Sequence, residues 1–219
     1  MSSAQGTKSL PSPADRRRRN REEVVNAILE TSRAIMREHG AAGLNLNEVA
    51  RQLGMKTPSL YEYFPNKMAV YDALFRKGIH IFRQRMEQYP TENVSLWDRL
   101  RFTLEAYMTF AQDNPELYQI IFERPVPDFV PSEEGMRECM AALAYMSNGL
   151  SQALETGVIK TDLTPEQAYY LVGAVMHGLT ALHIANEPQL PVGDGRFGSL
   201  IPAAVALFRA AWESERSDS

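Results

Sequence analysis

Cysteine is nearly absent from this 219-residue chain, which has only Cys139. An internal disulfide framework and a thiolate metal cluster are therefore excluded. Long apolar runs are missing as well. No segment approaches the ~18 uninterrupted apolar residues of a membrane span, so no membrane partner is expected. The N-terminus shows no apolar stretch leading to a small-residue cleavage site. No signal peptide is expected, and the cytoplasm is the expected location. Alternation of apolar and polar residues never persists long enough to define a strand. The common catalytic signatures are missing too: a glycine-rich phosphate loop after a strand, His-Glu-x-x-His, and a strand-borne serine elbow. An enzyme needs a convergent acid, base, nucleophile or metal set. None is visible, so no catalytic residue, metal or cofactor is expected. His177 and His183 are six apart, which turns them to different faces of a helix and makes them a poor metal pair.

What the chain does have is segregated charge. The net charge of −4 divides into 15 Lys/Arg against 8 Asp/Glu over residues 1–85, and 8 against 19 over residues 86–219. Only the first part suits a polyanion. Its opening, MSSAQGTKSLPSPAD, is small, polar and broken by proline. With the arginines that follow, it reads as a disordered basic arm over residues 1–19. Arg16, Arg17, Arg18, Arg19 and Arg21 crowd into RRRRNR. Such a run serves as a solubilising tail or as an arm that contacts phosphates.

Beyond the arm the pattern is all-α. A helix over about 21–39 carries Val24, Ile28, Thr31 and Ile35 on one side, and Gly40 stops it. In the next, Leu46, Val49, Ala50 and Leu53 recur at helical spacing, and Asn45 and Glu48 have capping-box spacing. Gly54 ends it. In GMKTPSLYEYFPNK, Thr57 is expected as N-cap and Pro58 at the first helical position. Pro65 stops this helix at Phe64. Asn66 then caps a long helix from Lys67, with Gly78 as a weak point and Tyr89-Pro90 as its end. Further along, Ser132 and Thr164 are expected to cap two more helices. Three helices over residues 21–64, the last two joined by a tight turn, outline a helix-turn-helix.

A helix of one to two turns has no stability alone. Here it forms because Leu60 and Phe64 pack on the helices before it. That leaves Lys56, Thr57, Pro58, Ser59, Tyr61, Glu62 and Tyr63 for the surface and edge. A slender polar face presented N-terminus first suits a DNA major groove. Lys67 sits unfavourably at the positive end of the next helix dipole, a difficulty that a bound phosphate would remove.

Over residues 20–75, and most densely in GLNLNEVARQLGMKTPSLYEYFPNK, the sequence resembles the DNA-binding region of the TetR/AcrR family of bacterial transcriptional regulators. Asn45, Leu46, Ala50, Gly54, Met55, Ser59, Leu60, Tyr61, Tyr63, Phe64 and Lys67 occupy the family's positions. Lys56 and Pro58 depart from it, standing where serine and glycine are common. The resemblance implies that Tyr61 and Lys67 contact phosphates. It places Asn45, Lys56, Thr57, Pro58, Ser59, Glu62 and Tyr63 at or near the groove. Glu62 either accepts from a cytosine amino group or faces solvent.

The remainder reads as a helical domain over residues 67–219. Phe102, Tyr107, Tyr118, Phe122, Met136, Met140, Met176 and His177 are the candidates for an effector pocket. Methionines and aromatics fill irregular space, so the same residues fit a solid core. Glu133 and Glu134 read as a solvated cap. NEPQLPVGDGRFG reads as a flexible loop. The resemblance implies dimerisation through the last two helices, and Leu171, Val175, Leu179, Ile201, Val205, Phe208 and Trp212 are the candidates. Either a second copy or the chain's own core would cover them. The expected protein is an all-α, ligand-responsive repressor: an arm over 1–19, a helix-turn-helix domain over 20–66, and an effector-binding and dimerisation domain over 67–219. Its expected partners are a double-stranded DNA operator, a second copy and a small apolar effector. A helical protein-interaction module is the alternative.

Overall fold

The computed structural model describes residues 12–88 and 94–213. The residues before Ser12 and the Tyr89-Pro90 stop lie outside them. Helices dominate in chain order: α1 Pro13–His39, α2 Leu46–Gln52, α3 Thr57–Tyr61, α4 Lys67–Glu87, α5 Leu96–Asp113, α6 Pro115–Tyr118, α7 Glu133–Glu155, α8 Pro165–Asn186, α9 Gly195–Gly198 and α10 Ile201–Trp212. A single 3₁₀ turn, Ala41–Gly43, follows α1, and a π-helical turn, Gln119–Glu123, extends α6. Among the described residues the β structure amounts to one isolated bridge, Ile159 with Glu213.

Two compact units result, Met1–Val70 and Tyr71–Ser219. The division falls inside α4, four residues beyond the boundary expected from sequence. In the first unit, α1, α2 and α3 enclose Ile28, Ile35, Met36, Leu44, Leu46, Val49, Leu60 and Phe64, all buried. Gly54 makes the turn between α2 and α3 with φ +64°, a left-handed conformation that costs a glycine little. Met55 N–H donates back to Ala50 C=O at 2.9 Å, closing the end of α2.

The arm is corrected by this structure. Pro13 to Arg19 are not disordered but form the first turns of α1. Ser12 caps them, its hydroxyl accepting from Asp15 N–H while the Asp15 carboxylate reaches back to Ser12. The four arginines are held apart on a helix surface, and Arg18 lies between Asp15 and Glu22 at 3.6 and 3.8 Å.

Two other capping expectations change. The N-cap of α3 is Lys56, not Thr57, and no side chain caps it; Thr57 and Pro58 are its first two residues. Asn45 does cap α2, accepting from Asn47 and Glu48 N–H. Glu48 does not complete the box. Its carboxylate turns to Arg51 at 2.7 and 2.6 Å and to Gln52 at 2.8 Å. A charged guanidinium one turn away outcompetes a backbone amide for that carboxylate. The Arg51 bonds hold the Glu48 pKa down to about 2.

In the second unit, α4 runs unbroken through Gly78. A Cβ there would lie 2.6 Å from Ile121 Cδ1, so the glycine marks a close approach rather than a weak point. Arg76 on α4 forks onto Glu134 and Glu138 of α7. Asp72 accepts from the Ser132 N–H and hydroxyl at the same helix start. Glu133 and Glu134 are exposed in the first turn of α7, as expected, and Glu134 also tethers that helix to α4. The NEPQLPVGDGRFG segment contains α9, and Glu187 ties it by bonding Arg196 Nε and N–H at 2.7 and 2.8 Å.

Candidate functional site

The surface of the first unit can be built from α3 outward. Leu60 is completely buried and Phe64 nearly so, which fixes the rotation of this five-residue helix. Lys56, Pro58, Tyr61 and Glu62 are consequently exposed, with Thr57, Ser59 and Tyr63 half-buried. Arg21 of α1 reaches this face. Its guanidinium stacks over the Tyr63 ring at 5.0 Å and donates to the Glu62 carbonyl at 3.3 Å. Arg16, Arg17, Arg18 and Arg19 are exposed further back along α1.

Lys67 opens α4, and Asn66 caps that helix by accepting from Ala69 N–H. Lys67 Nζ donates to the Ala42 carbonyl at 3.3 Å, which partly offsets its unfavourable place at a helix start. Asn45 is occupied by its own cap and lies at the other end of α2. The surface therefore brings Arg21, Tyr61, Glu62 and Tyr63 together around α3 and sets Asn45 apart from them.

A second site lies in the second unit. A cavity of about 100 Å³ is lined by Met86, Leu96, Trp97, Arg99, Leu100, Phe102, Thr103, Gly149, Leu150, Tyr169, Val172, Gly173, Met176 and Trp212. Of the sequence candidates, only Phe102 and Met176 line it. Tyr107, Tyr118 and Phe122 are instead packed into an aromatic cluster with Phe82, with ring centroids 4.9 to 5.8 Å apart. Tyr107 and Tyr118 direct their hydroxyls to His177 Nδ1 at 3.1 and 3.0 Å. A ring nitrogen makes one strong hydrogen bond, as acceptor or as donor, so the two hydroxyls share it. Burial pushes both phenols well above their usual pKa, and they stay protonated. His177 is thus a half-buried histidine tied to these two tyrosines. Met136 and Met140 lie outside the lining, and Met140 is 57% exposed.

What sequence reasoning missed is the other wall: Trp97 and Arg99 at the start of α5, Gly149 on α7, and Tyr169, Val172 and Gly173 on α8. Two tryptophans are all the chain has, and both line this cavity. That was the available signal.

The last helices also require correction. Ile201, Val205, Phe208 and Trp212 are buried against their own chain, between 1 and 8% exposed. Trp212 stacks on Phe208 and closes the cavity. These four cover the chain's own core and are not free for a partner. The opposite side of α10 stays open, with Leu207 72% and Leu200 43% exposed. On α8, Leu171 is exposed and Val175 and Leu179 are half-buried. By length and composition α8 could cross a membrane, but Ala168, Val172, Met176, Thr180 and His183 form one buried face within a helical unit.

A buried three-helix unit whose third, short helix turns a polar face outward defines the helix-turn-helix class of DNA-binding proteins. Comparison with known proteins gives the family. Residues 28–74 match the model for bacterial regulatory proteins of the tetR family, and residues 100–201 match the tetracyclin repressor-like C-terminal domain. The chain belongs to the TetR family of transcriptional regulators, with a DNA-binding helix-turn-helix. It is 24% identical over 156 residues to the HTH-type transcriptional regulator Rv1816 of Mycobacterium tuberculosis, covering 69% of this chain and 67% of that one. It is 26% identical over 101 residues to the nucleoid occlusion factor SlmA of Vibrio cholerae, covering 46% of this chain and 50% of that one. Among solved structures, FadR from Bacillus subtilis in complex with stearoyl-CoA superposes with a TM-score of 0.65 at 17% identity, over 83% of this chain and 96% of that one. A protein of unknown function from a Rhodococcus species gives 0.70 at 18%, over 93% and 97%. At these identities the two structures share the fold alone.

Proposed function

We propose that this regulator is a homodimeric repressor that reads a palindromic operator and is released from it by a small, largely apolar effector. The observation that carries the DNA reading is the fixed rotation of α3. With Leu60 and Phe64 buried, Lys56, Thr57, Ser59, Tyr61 and Glu62 all stand on or at the edge of the open side. Two such helices in a dimer occupy successive major grooves about 34 Å apart. Tyr61 and Lys67 hold phosphates, and the arginines of α1 add backbone contacts.

The dimer reading rests on two apolar rows that the single chain leaves open. One is Leu171, Val175, Gly178 and Leu182 on α8; the other is Leu200, Ala203, Leu207 and Ala210 on α10. Paired with a second copy, they make a four-helix bundle. This accounts for the apolar character of α8 without a membrane, and the protein works in the cytoplasm beside its DNA. The effector reading rests on the apolar cavity walled by Trp97, Phe102, Met176 and Trp212. An effector acts by binding more tightly to a state in which the two recognition helices are wrongly spaced, since only unequal affinity shifts a population.

Selection of bound duplexes from a random library at moderate salt tests this reading. A palindromic motif with half-sites one helical turn apart is expected. No motif from folded protein over several salt concentrations would refute it. With the selected site in hand, replacing Arg16 to Arg19 together by glutamine is expected to make the slope of log affinity against log salt shallower by roughly 1 for each phosphate no longer neutralised. An unchanged slope removes these arginines from the interface.

A further inference from the structure

We propose that the ligand of the second unit is an anionic amphiphile, with its apolar part inside the cavity and its charged end on Arg99. The inference deepens the reading of this cavity as the effector site and rests on it.

Three observations converge on Arg99. The first is the shape of the space. The inner cavity is walled mainly by apolar side chains such as Trp97, Met176 and Trp212. A second hollow of about 240 Å³ adjoins it, more open and more polar, with Gln152 and Thr156 in its wall. Leu96, Arg99 and Gly149 line both, so they form the neck between them. A molecule threaded through this neck has an apolar inner part and a wetter outer part, with a guanidinium where they meet.

The second is the state of Arg99. The arginines near it are committed: Arg101 to Asp98 and Glu105, and Arg209 to Glu213. Arg99 is half-buried, yet among the described residues no carboxylate lies within ion-pair distance of it. A half-buried guanidinium without a counter-charge has lost hydration and gained nothing for it. An incoming carboxylate restores the balance through the two-pronged geometry that guanidinium and carboxylate share.

The third is Gly149. A Cβ at that position would lie 3.0 Å from Arg99 Nη2 and 3.1 Å from Cζ. The guanidinium can lie flat on α7 at the neck because this residue has no side chain. A Cβ there would press on the guanidinium and shift it by a few tenths of an ångström, and a larger side chain would crowd it further.

The chain supplies its own reporter, since both of its tryptophans line the cavity. Tryptophan emission and calorimetry would be followed while the full-length protein is titrated with decanoate, decanol and decyltrimethylammonium, with acids of six to sixteen carbons alongside. Decanoate is expected to bind roughly ten- to a hundred-fold more tightly than decanol, the range for a hydrogen-bonded charge pair, and the cation most weakly. Arg99→Gln is expected to bring decanoate down to the level of decanol, and Arg99→Lys to keep most of the preference for the acid. Thermal midpoints and decanol binding establish that the variants are folded. Equal binding of acid and alcohol, a preference for the cation, or an acid preference that survives Arg99→Gln overturns the proposal while leaving an apolar effector in place. No binding by any probe, from protein that still binds DNA, overturns both.

Discussion

On the proposed dimer, Leu207→Asp is expected to leave a monomer and to abolish operator binding at concentrations where the parent saturates it. Leu207 is 72% exposed in the single chain and stands in the middle of the open apolar row of α10. Within the chain an aspartate there meets water and costs almost nothing. In a two-fold symmetric interface the same substitution appears twice. Each copy strands an uncompensated carboxylate in a buried setting, at about 3 to 5 kcal/mol. Two of them weaken association by at least about ten-thousand-fold. Sedimentation or light scattering reads the outcome directly, and an unchanged helical circular dichroism spectrum shows the fold is kept. A variant that stays dimeric removes α10 from the interface. The contrasting substitution is Phe208→Asp, one residue along. Phe208 is 7% exposed and stacked on Trp212, so the same charge there would unfold the second unit rather than split a dimer.

The second large effect is in the first unit. Leu60→Ala is expected to cost about 2 to 5 kcal/mol of stability, the range for truncating a fully buried leucine. A unit of about 70 residues has a total stability of roughly 3 to 10 kcal/mol, so much of it would be lost. The consequence is local for a physical reason. The recognition helix α3 has five residues, too few to form unless it is docked, and Leu60 is its deepest contact. Operator affinity is therefore expected to fall by more than a hundred-fold. Ligand binding read by tryptophan emission should persist, because Trp97 and Trp212 both belong to the second unit. Urea unfolding followed by circular dichroism checks the first part: a midpoint equal to the parent's would show that α3 is held by something other than Leu60.

The comparison of sequence with structure separates two kinds of information. Where a feature depends on residues a few positions apart, the sequence was enough. Asn45, Asn66, Ser132 and Thr164 are legible as caps, and each accepts a backbone N–H within three residues. The failures near them are equally local and equally physical. Glu48 had a choice of partners and took Arg51. Thr57 followed a lysine whose backbone already occupied the cap position. The proline-broken opening and its arginine run read as a disordered arm, yet a helix capped by Ser12 spreads those charges around its circumference and interleaves them with Asp15 and Glu22.

The site in the second unit could not be read this way. α10 carries apolar residues on both sides, so periodicity admits two rotations. Burial selects Ile201, Val205, Phe208 and Trp212 for the chain's own interior and leaves Leu207 outside. The hydrophobic effect is non-directional and fixes how much surface is covered, not what covers it. The aromatic candidates met the same limit. Tyr107, Tyr118 and Phe122 interlock into solid core, while the void lies beside them, where Gly149 and Gly173 leave room and Arg99 borders it.

The sequence by itself determined the helical class, the helix-turn-helix with its turn at Gly54, and the exposed polar face of its last helix, because each follows from periodicity, caps and one left-handed glycine. Only the tertiary structure decided which apolar face of the last helices turns inward, which aromatics are core and where the cavity lies. Those are properties of how separate helices fill space against one another, and a cavity is set by the atoms that fail to meet.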